Sequence, residues 1–225
     1  MIGTGMTARQ FIERSAEEVL RLDHASLERL AASILQRHRT EATIFIIGNG
    51  GSASSASHLA EDLGKGSLRR EDFDDDEKKR LRVISLTDSS AYLLAWGNDE
   101  GFDRVFIEQL KNLARPGDLL IAISGSGNSP NVLRAVEWAN CHGVDTFGVT
   151  GFCGGSLRKM AGDSFHVDLL DMGLVESLHL VGFHWIVDEM HRQIGHNGAP
   201  RSNFGLTGQA HPKSSVITAN QIHSR

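Results

Sequence analysis

At 225 residues with 40% apolar side chains, the chain is long enough for one α/β domain with a sizeable core and too short for two comfortable ones. A formal net charge of −5 with scattered Lys and Arg gives no basic footprint for nucleic acid, and no run approaches the roughly 20 apolar residues of a membrane span. Only Cys141 and Cys153 occur, without metal-ribbon or redox spacing, and acidic Glu13 with no nearby apolar run argues against a signal peptide, so a soluble cytoplasmic protein is expected.

Residues 1–40 read as an N-terminal helical segment. Phe11, Ile12, Ala16, Val19, Leu20, Leu27, Leu30, Ala31, Ile34 and Leu35 recur at helical spacing, with a break expected near Asp23-His24. Such a segment covers its own sheet or packs on another subunit. Thr43–Ile47 is a first buried strand and runs into Gly48-Asn49-Gly50-Gly51-Ser52, followed by a helix from about Ala53 to Leu63. Gly48-x-Gly50-x-x-Ala53 meets a loose dinucleotide fingerprint, but the acidic residue expected about twenty positions on, at a strand end, falls within a charged stretch instead.

On that helix His58 and Asp62 stand one turn apart on one face. The pair suits a shared metal or water, a base with its partner, or a plain solvated face. Gly64–Arg80 is strongly charged and is expected as a solvated loop or short helical excursion. Arg82–Thr87 is a second strand, ending in Asp88-Ser89-Ser90 where an open α/β sheet places its ligand crevice. Helices follow at about Ser89–Ala95 and Asp103–Ala114.

Leu119–Ile123 has five consecutive apolar residues, the mark of a parallel strand covered on both faces. It leads into Ser124-Gly125-Ser126-Gly127-Asn128-Ser129-Pro130 and a helix to about His142. Ser129 suits the N-cap and Pro130 the first helical position. Hydroxyls of Ser124, Ser126 and Ser129 would face the orphan amides and positive end of that helix, which makes a phosphate cradle. No lysine stands in the loop, so it is not a Walker-type loop. A strand at Asp145–Val149, a short helix at Ser156–Ala161 and a strand at Ser164–Leu169 complete a doubly wound, five-stranded parallel sheet.

The last helix, roughly Gly173–Ile194, carries Glu176, His179, His184, Asp188 and His191. Glu176 and His184 lie about 12 Å apart along a regular helix, so they share one ion only if Glu176 sits in a distorted first turn. His184 and Asp188 form the easier pair, and His179 and His191 are expected at the surface or an interface. From Gly195 to Arg225 the composition reads as a disordered tail.

Gly48-Asn49-Gly50-Gly51-Ser52, His58-Leu59-Ala60-Glu61-Asp62-Leu63, Asn98-Asp99-Glu100-Gly101-Phe102, Ser124 through Val132, Gly151-Phe152-Cys153-Gly154-Gly155 and the Glu176…His179…His184 helix stand in one order. In these motifs, over about residues 10 to 194, the chain resembles the sugar isomerase (SIS) superfamily and within it the phosphoheptose isomerases. The resemblance implies a single SIS domain over 41–194 and interconversion of sedoheptulose 7-phosphate with a glycero-manno-heptose 7-phosphate. It also implies a homotetramer with interfacial sites. By motif, phosphate falls to Ser124, Ser126 and Ser129, and the sugar to Asn49, Gly50, Ser52, Asp88 and Glu176. Lys65 stands where the family often has an arginine. The base position matches Asp62 and its acid/base partner His184, while zinc, where the family holds it, matches His58, Asp62, Glu176 and His184. Two departures from the family's pattern stand out: Asp62 stands where the resemblance expects a glutamate, and Glu176 where it expects a glutamine, adding a charge that would favour a bound cation or raise one carboxylate's pKa. An enzyme is expected on these grounds; the contrasting expectation is a non-catalytic SIS module that binds a phosphosugar or a protein partner.

Overall fold

The computed structural model describes residues 5–195. The helical segment is two helices, α1 (Ala8–Val19) and α2 (His24–Thr40), separated where the sequence broke. Thr7 closes a capping box with Gln10, and Asp23 accepts from the Ser26 amide to start α2. Then come β1 (Thr43–Ile47), α3 (Gly51–Gly66), β2 (Arg82–Ser85), α4 (Ser90–Asp99), α5 (Ile107–Leu113), β3 (Leu119–Ser124) and α6 (Pro130–Cys141). The chain continues through β4 (Asp145–Thr150), α7 (Leu157–Met160), β5 (Asp163–His166) and α8 (Met172–Met190), which ends in a wide turn over His191–Gly195. The tail expected beyond Gly195 lies outside the described residues.

All five strands are parallel, in the order β2-β1-β3-β4-β5. The central strands β1 and β3 are buried at every position, which their unbroken apolar runs require. Alternate residues feed two cores. Ile44, Ile46, Leu119, Ile121 and Phe165 pack against α2, α3 and α8. Phe45, Ile47, Leu120 and Ala122 pack against α5, α6 and α7. β2 is an edge strand, shorter than its apolar pattern, and leaves Ile84 42% exposed. No helix of the described residues is long and apolar enough to cross a membrane.

The charged stretch closes around one carboxylate. Asp72, at the end of a 3₁₀ turn (Arg70–Asp72), is buried and accepts from the Arg69 amide at 2.8 Å while pairing with Lys78 at 3.1 Å. These contacts, led by the Arg69 amide, hold its pKa below the ordinary carboxylate value.

One expectation is corrected. His179 is no surface residue: it is 1% exposed, its ring packs edge-on to Phe165 at 5.7 Å, and its Nε2–H donates to the Thr150 carbonyl at 3.1 Å. His191 is partly buried, with Nδ1 2.7 Å from the Gly66 carbonyl. Burial pushes the His179 pKa from 6.5 down to about 4. The unfolded chain takes up that proton near pH 6.5 and the folded chain only near 4. The stability that neutral His179 supports is therefore intact above the upper value and is lost as pH falls through the window. Denaturant titrations at stepped pH should show a loss of roughly 3 kcal/mol across it. His179→Gln, which keeps an N–H for Thr150, should flatten that slope; an unchanged slope would assign the acid sensitivity elsewhere.

Candidate active site

A parallel sheet ordered 2-1-3-4-5 reverses its winding between β1 and β3, and ligands bind in the crevice at the carboxyl ends of those strands. The two loops expected to bind ligand both start there. In the first, Gly50 is the N-cap of α3 at φ +55°, a conformation glycine adopts without strain. Gly48 lies so close to Ser52 that a Cβ would stand 2.6 Å from the Ser52 carbonyl oxygen, which keeps the turn tight and Ser52 buried.

The second loop is the serine cradle. Ser129 is the N-cap of α6 and Pro130 follows, as the sequence indicates, but the Ser129 hydroxyl makes no capping bond. It lies 3.2 Å from the hydroxyl of buried Ser124, while Ser126 is exposed. The loop is held from behind by the segment after β4. Gly151 N–H donates to the Gly125 carbonyl, Leu157 N–H to the Gly127 carbonyl, both at 2.9 Å, and Ser156 N–H to Asn128 Oδ1 at 3.1 Å. Gly127, at φ +67°, packs directly on the Gly154 backbone.

An amide pair that sequence reading missed locks the two loops together. Asn49 Nδ2 donates to Asn131 Oδ1 and Asn131 Nδ2 donates to Asn49 Oδ1, both at 2.9 Å. Asn131 is 2% exposed, and its Oδ1 also accepts from the Val132 amide at 2.9 Å. Its position as second residue of α6, facing β1, was the available signal.

The titratable groups come from α3 and α8, which run side by side in the same direction. Gly51 lies against Glu176, His58 against His184 and Gly66 against Val187. His58 Nε2 stands 3.2 Å from Asp62 Oδ2, and the His58 and His184 rings meet edge-on with centroids 5.2 Å apart. One ligand atom each from His58, Asp62 and His184 lies within 4.8 Å of the others. Two imidazoles and a carboxylate at this spacing form the donor set zinc takes in open sites. Glu176, the fourth ligand by resemblance, stands apart: its carboxylate lies over Gly51, where a Cβ would overlap it. It shares a cleft of about 310 Å³ with Gly51, Ser55 and His58.

Asp88 and Lys65 lie off this cluster. Asp88 is exposed and accepts from the hydroxyls of Ser57 and Thr87, lining a separate cavity of about 780 Å³ with Tyr92, Gln109 and Leu113. Lys65, in the last turn of α3, has its Nζ 3.9 Å from Glu61.

Residues 9–151 match the model of the SIS domain family. The chain is 36% identical over 166 residues to a phosphoheptose isomerase of Pelobacter propionicus, covering 73% of this chain and 84% of that protein. It is 32% identical over 181 residues to a probable phosphoheptose isomerase of Thermoplasma acidophilum, covering 80% and 96%. The solved phosphoheptose isomerase of Neisseria gonorrhoeae superposes with a TM-score of 0.72 at 31% identity, covering 81% of this chain and 95% of that one.

Asn131→Ala should leave the Asn49 amide without its partner and cost about 1–3 kcal/mol in denaturant stability. The same variant should weaken inorganic phosphate binding at the cradle several-fold, read by calorimetry. Retained stability with unaltered phosphate affinity would rule out the lock.

Proposed function

The chain belongs to the SIS domain family, and on that footing we propose that it is a sugar-phosphate isomerase converting sedoheptulose 7-phosphate to D-glycero-D-manno-heptose 7-phosphate. The observation that carries this reading is the close approach of His58, Asp62 and His184 beside the switch-point crevice. Aldose–ketose isomerisation moves one proton between adjacent carbons and one between their oxygens. A carboxylate and an imidazole on one enediol suffice.

In this reading the serine cradle (Ser124, Ser126, Ser129) and the positive end of α6 hold the phosphate. Asn49 and Ser52, on the first loop, contact the hydroxyls, with Asp88 and Lys65 at the margin. Binding energy from the distant phosphate positions the open-chain sugar. Asp62 takes the proton from C1 of the ketose as His184 donates one to O2, giving the enediol. His184 then recovers the proton from O1, and Asp62 delivers its proton to C2, giving the aldose. His58, 3.2 Å from Asp62, orients that carboxylate. His58, Asp62 and His184 are the residues that would hold zinc; zinc there supplies Lewis-acid polarisation of the carbonyl.

His58 and His184 are exposed on the single chain, and Val181 beside them is 43% exposed. That exposure supports a site closed by a second copy in a homotetramer, and light scattering should return four times the 24.5 kDa chain mass.

Proton exchange at C1 of sedoheptulose 7-phosphate in D₂O, followed by NMR, tests the chemistry. Exchange with aldose formation is expected from the native chain, and Asp62→Asn should lower its rate on the order of 10²–10⁴-fold. Phosphosugar binding without exchange would favour a non-catalytic binding module.

A further inference from the structure

The serine loop leaves β3 at Ser124, which pairs in register with Thr150 at the end of β4. Thr150 and Gly151 therefore form the backing of the cradle, and the Gly151 amide donates to the Gly125 carbonyl at 2.9 Å. One face of α8 lies against this backing. A Cβ at Gly125 would stand 2.6 Å from the Met172 sulfur, and one at Gly151 would overlap the Val175 methyls. His179 completes the row with its bond to the Thr150 carbonyl at 3.1 Å. That carbonyl also accepts from the Val167 amide at 2.9 Å, so one lone pair serves the strand ladder and the other serves α8. Met172, Val175 and His179 are spaced i, i+3 and i+7, the repeat that keeps side chains on one helix face. His184 follows five residues on, about 7.5 Å further along the axis, on the face turned to His58.

We propose that α8 is the gauge between the two ends of the site, and that His179 is the positioning residue that sets it: bonded to Thr150, it fixes the serine cradle at one distance from His184 on the same rigid helix. The inference rests on the isomerase reading above and names what holds its two halves in register. The apolar contacts of Met172 and Val175 press the helix on the backing but are non-directional, so they do not fix its position along it. The His179 hydrogen bond is directional and buried, and it does fix that position. The hydrogen bonds from Gly151, Ser156 and Leu157 shape the loop itself, and none of them comes from α8. Losing the His179 bond therefore leaves the cradle built and alters the span over which phosphate positions the reacting carbons. A misplacement of about 1 Å there costs on the order of 10²-fold in rate.

The full chain is tested with two readouts: calorimetric binding of inorganic phosphate, and C1 exchange of saturating sedoheptulose 7-phosphate in D₂O, expressed per phosphate-binding site. His179→Leu should keep the phosphate Kd within about threefold of native while its exchange per site falls at least about tenfold. His179→Gln, whose amide can donate to Thr150, should return exchange to within about threefold of native. A merely structural His179 would lower the number of phosphate sites and leave exchange per site native, and that result overturns the proposal. So does a Gln variant as slow as the Leu variant, or a phosphate Kd weakened more than about tenfold, which would make His179 part of building the cradle instead of spacing it. Where His179→Leu does not fold, Met172→Ala, half-buried in the first turn of α8, takes its place. A several-fold loss of exchange per site is expected there, and native exchange overturns the proposal. A native chain that shows no exchange, with or without phosphate binding, removes the isomerase reading, and this inference with it.

Discussion

The parallel packing of α3 on α8 is the constraint on which the site depends. Both helices begin at the carboxyl edge of the sheet, and glycines at both ends of α3 let the axes approach closely. A Cβ at Gly51 would overlap Glu176, and one at Gly66 would stand 3.1 Å from Val187. With the axes fixed at both ends, the face carrying His58 and Asp62 meets the face carrying His184. No loop supplies any of the three groups, so their spacing is set by two helices seated on a common core of Leu59, Leu63, Leu178 and Ile186. Side chains on rigid elements hold a reacting geometry better than side chains on loops.

The second constraint lies at the switch point. β1 and β3 are neighbours whose following helices leave on opposite faces of the sheet, so their loops diverge and open the crevice. A crevice that opens also needs a tie. Asn49 and Asn131 supply it, each side-chain amide donating to and accepting from the other. The loop after β1 and the serine loop after β3 are therefore tied into one body.

Much of this was legible from the chain because parallel central strands have no solvent face. Thr43–Ile47 and the run from Leu119 read unambiguously, and both match the structure at their first residue. The edges were less clear. β2 leaves the ladder after Ser85, where Thr87 turns its hydroxyl to Ser85 and Ser57 in place of pairing. The last helix hid more. Its sequence is apolar nearly all round, so no polar face indicates which histidine points outward. His179 and His184 are five residues apart and so stand on roughly opposite faces. One had to be core, and only the position of β4 and its Thr150 carbonyl decides which. The meeting of His58 with His184 across 126 positions likewise leaves no trace in local spacing; it was legible only through the family resemblance.

The placement of the two carboxylates, Asp62 and Glu176, makes physical sense. Asp62 has a short side chain, which keeps its carboxylate close to α3. There it stands within 3.2 Å of His58, the imidazole one turn earlier on the same helix. Glu176 lies against Gly51, in the first turn of α3, so the two acidic groups stand at different levels of that helix. Like charges placed together in one small site would oppose each other's ionisation. Apart, one stands beside His58 and the other against Gly51, and the site carries two carboxylates without forcing them to share a position.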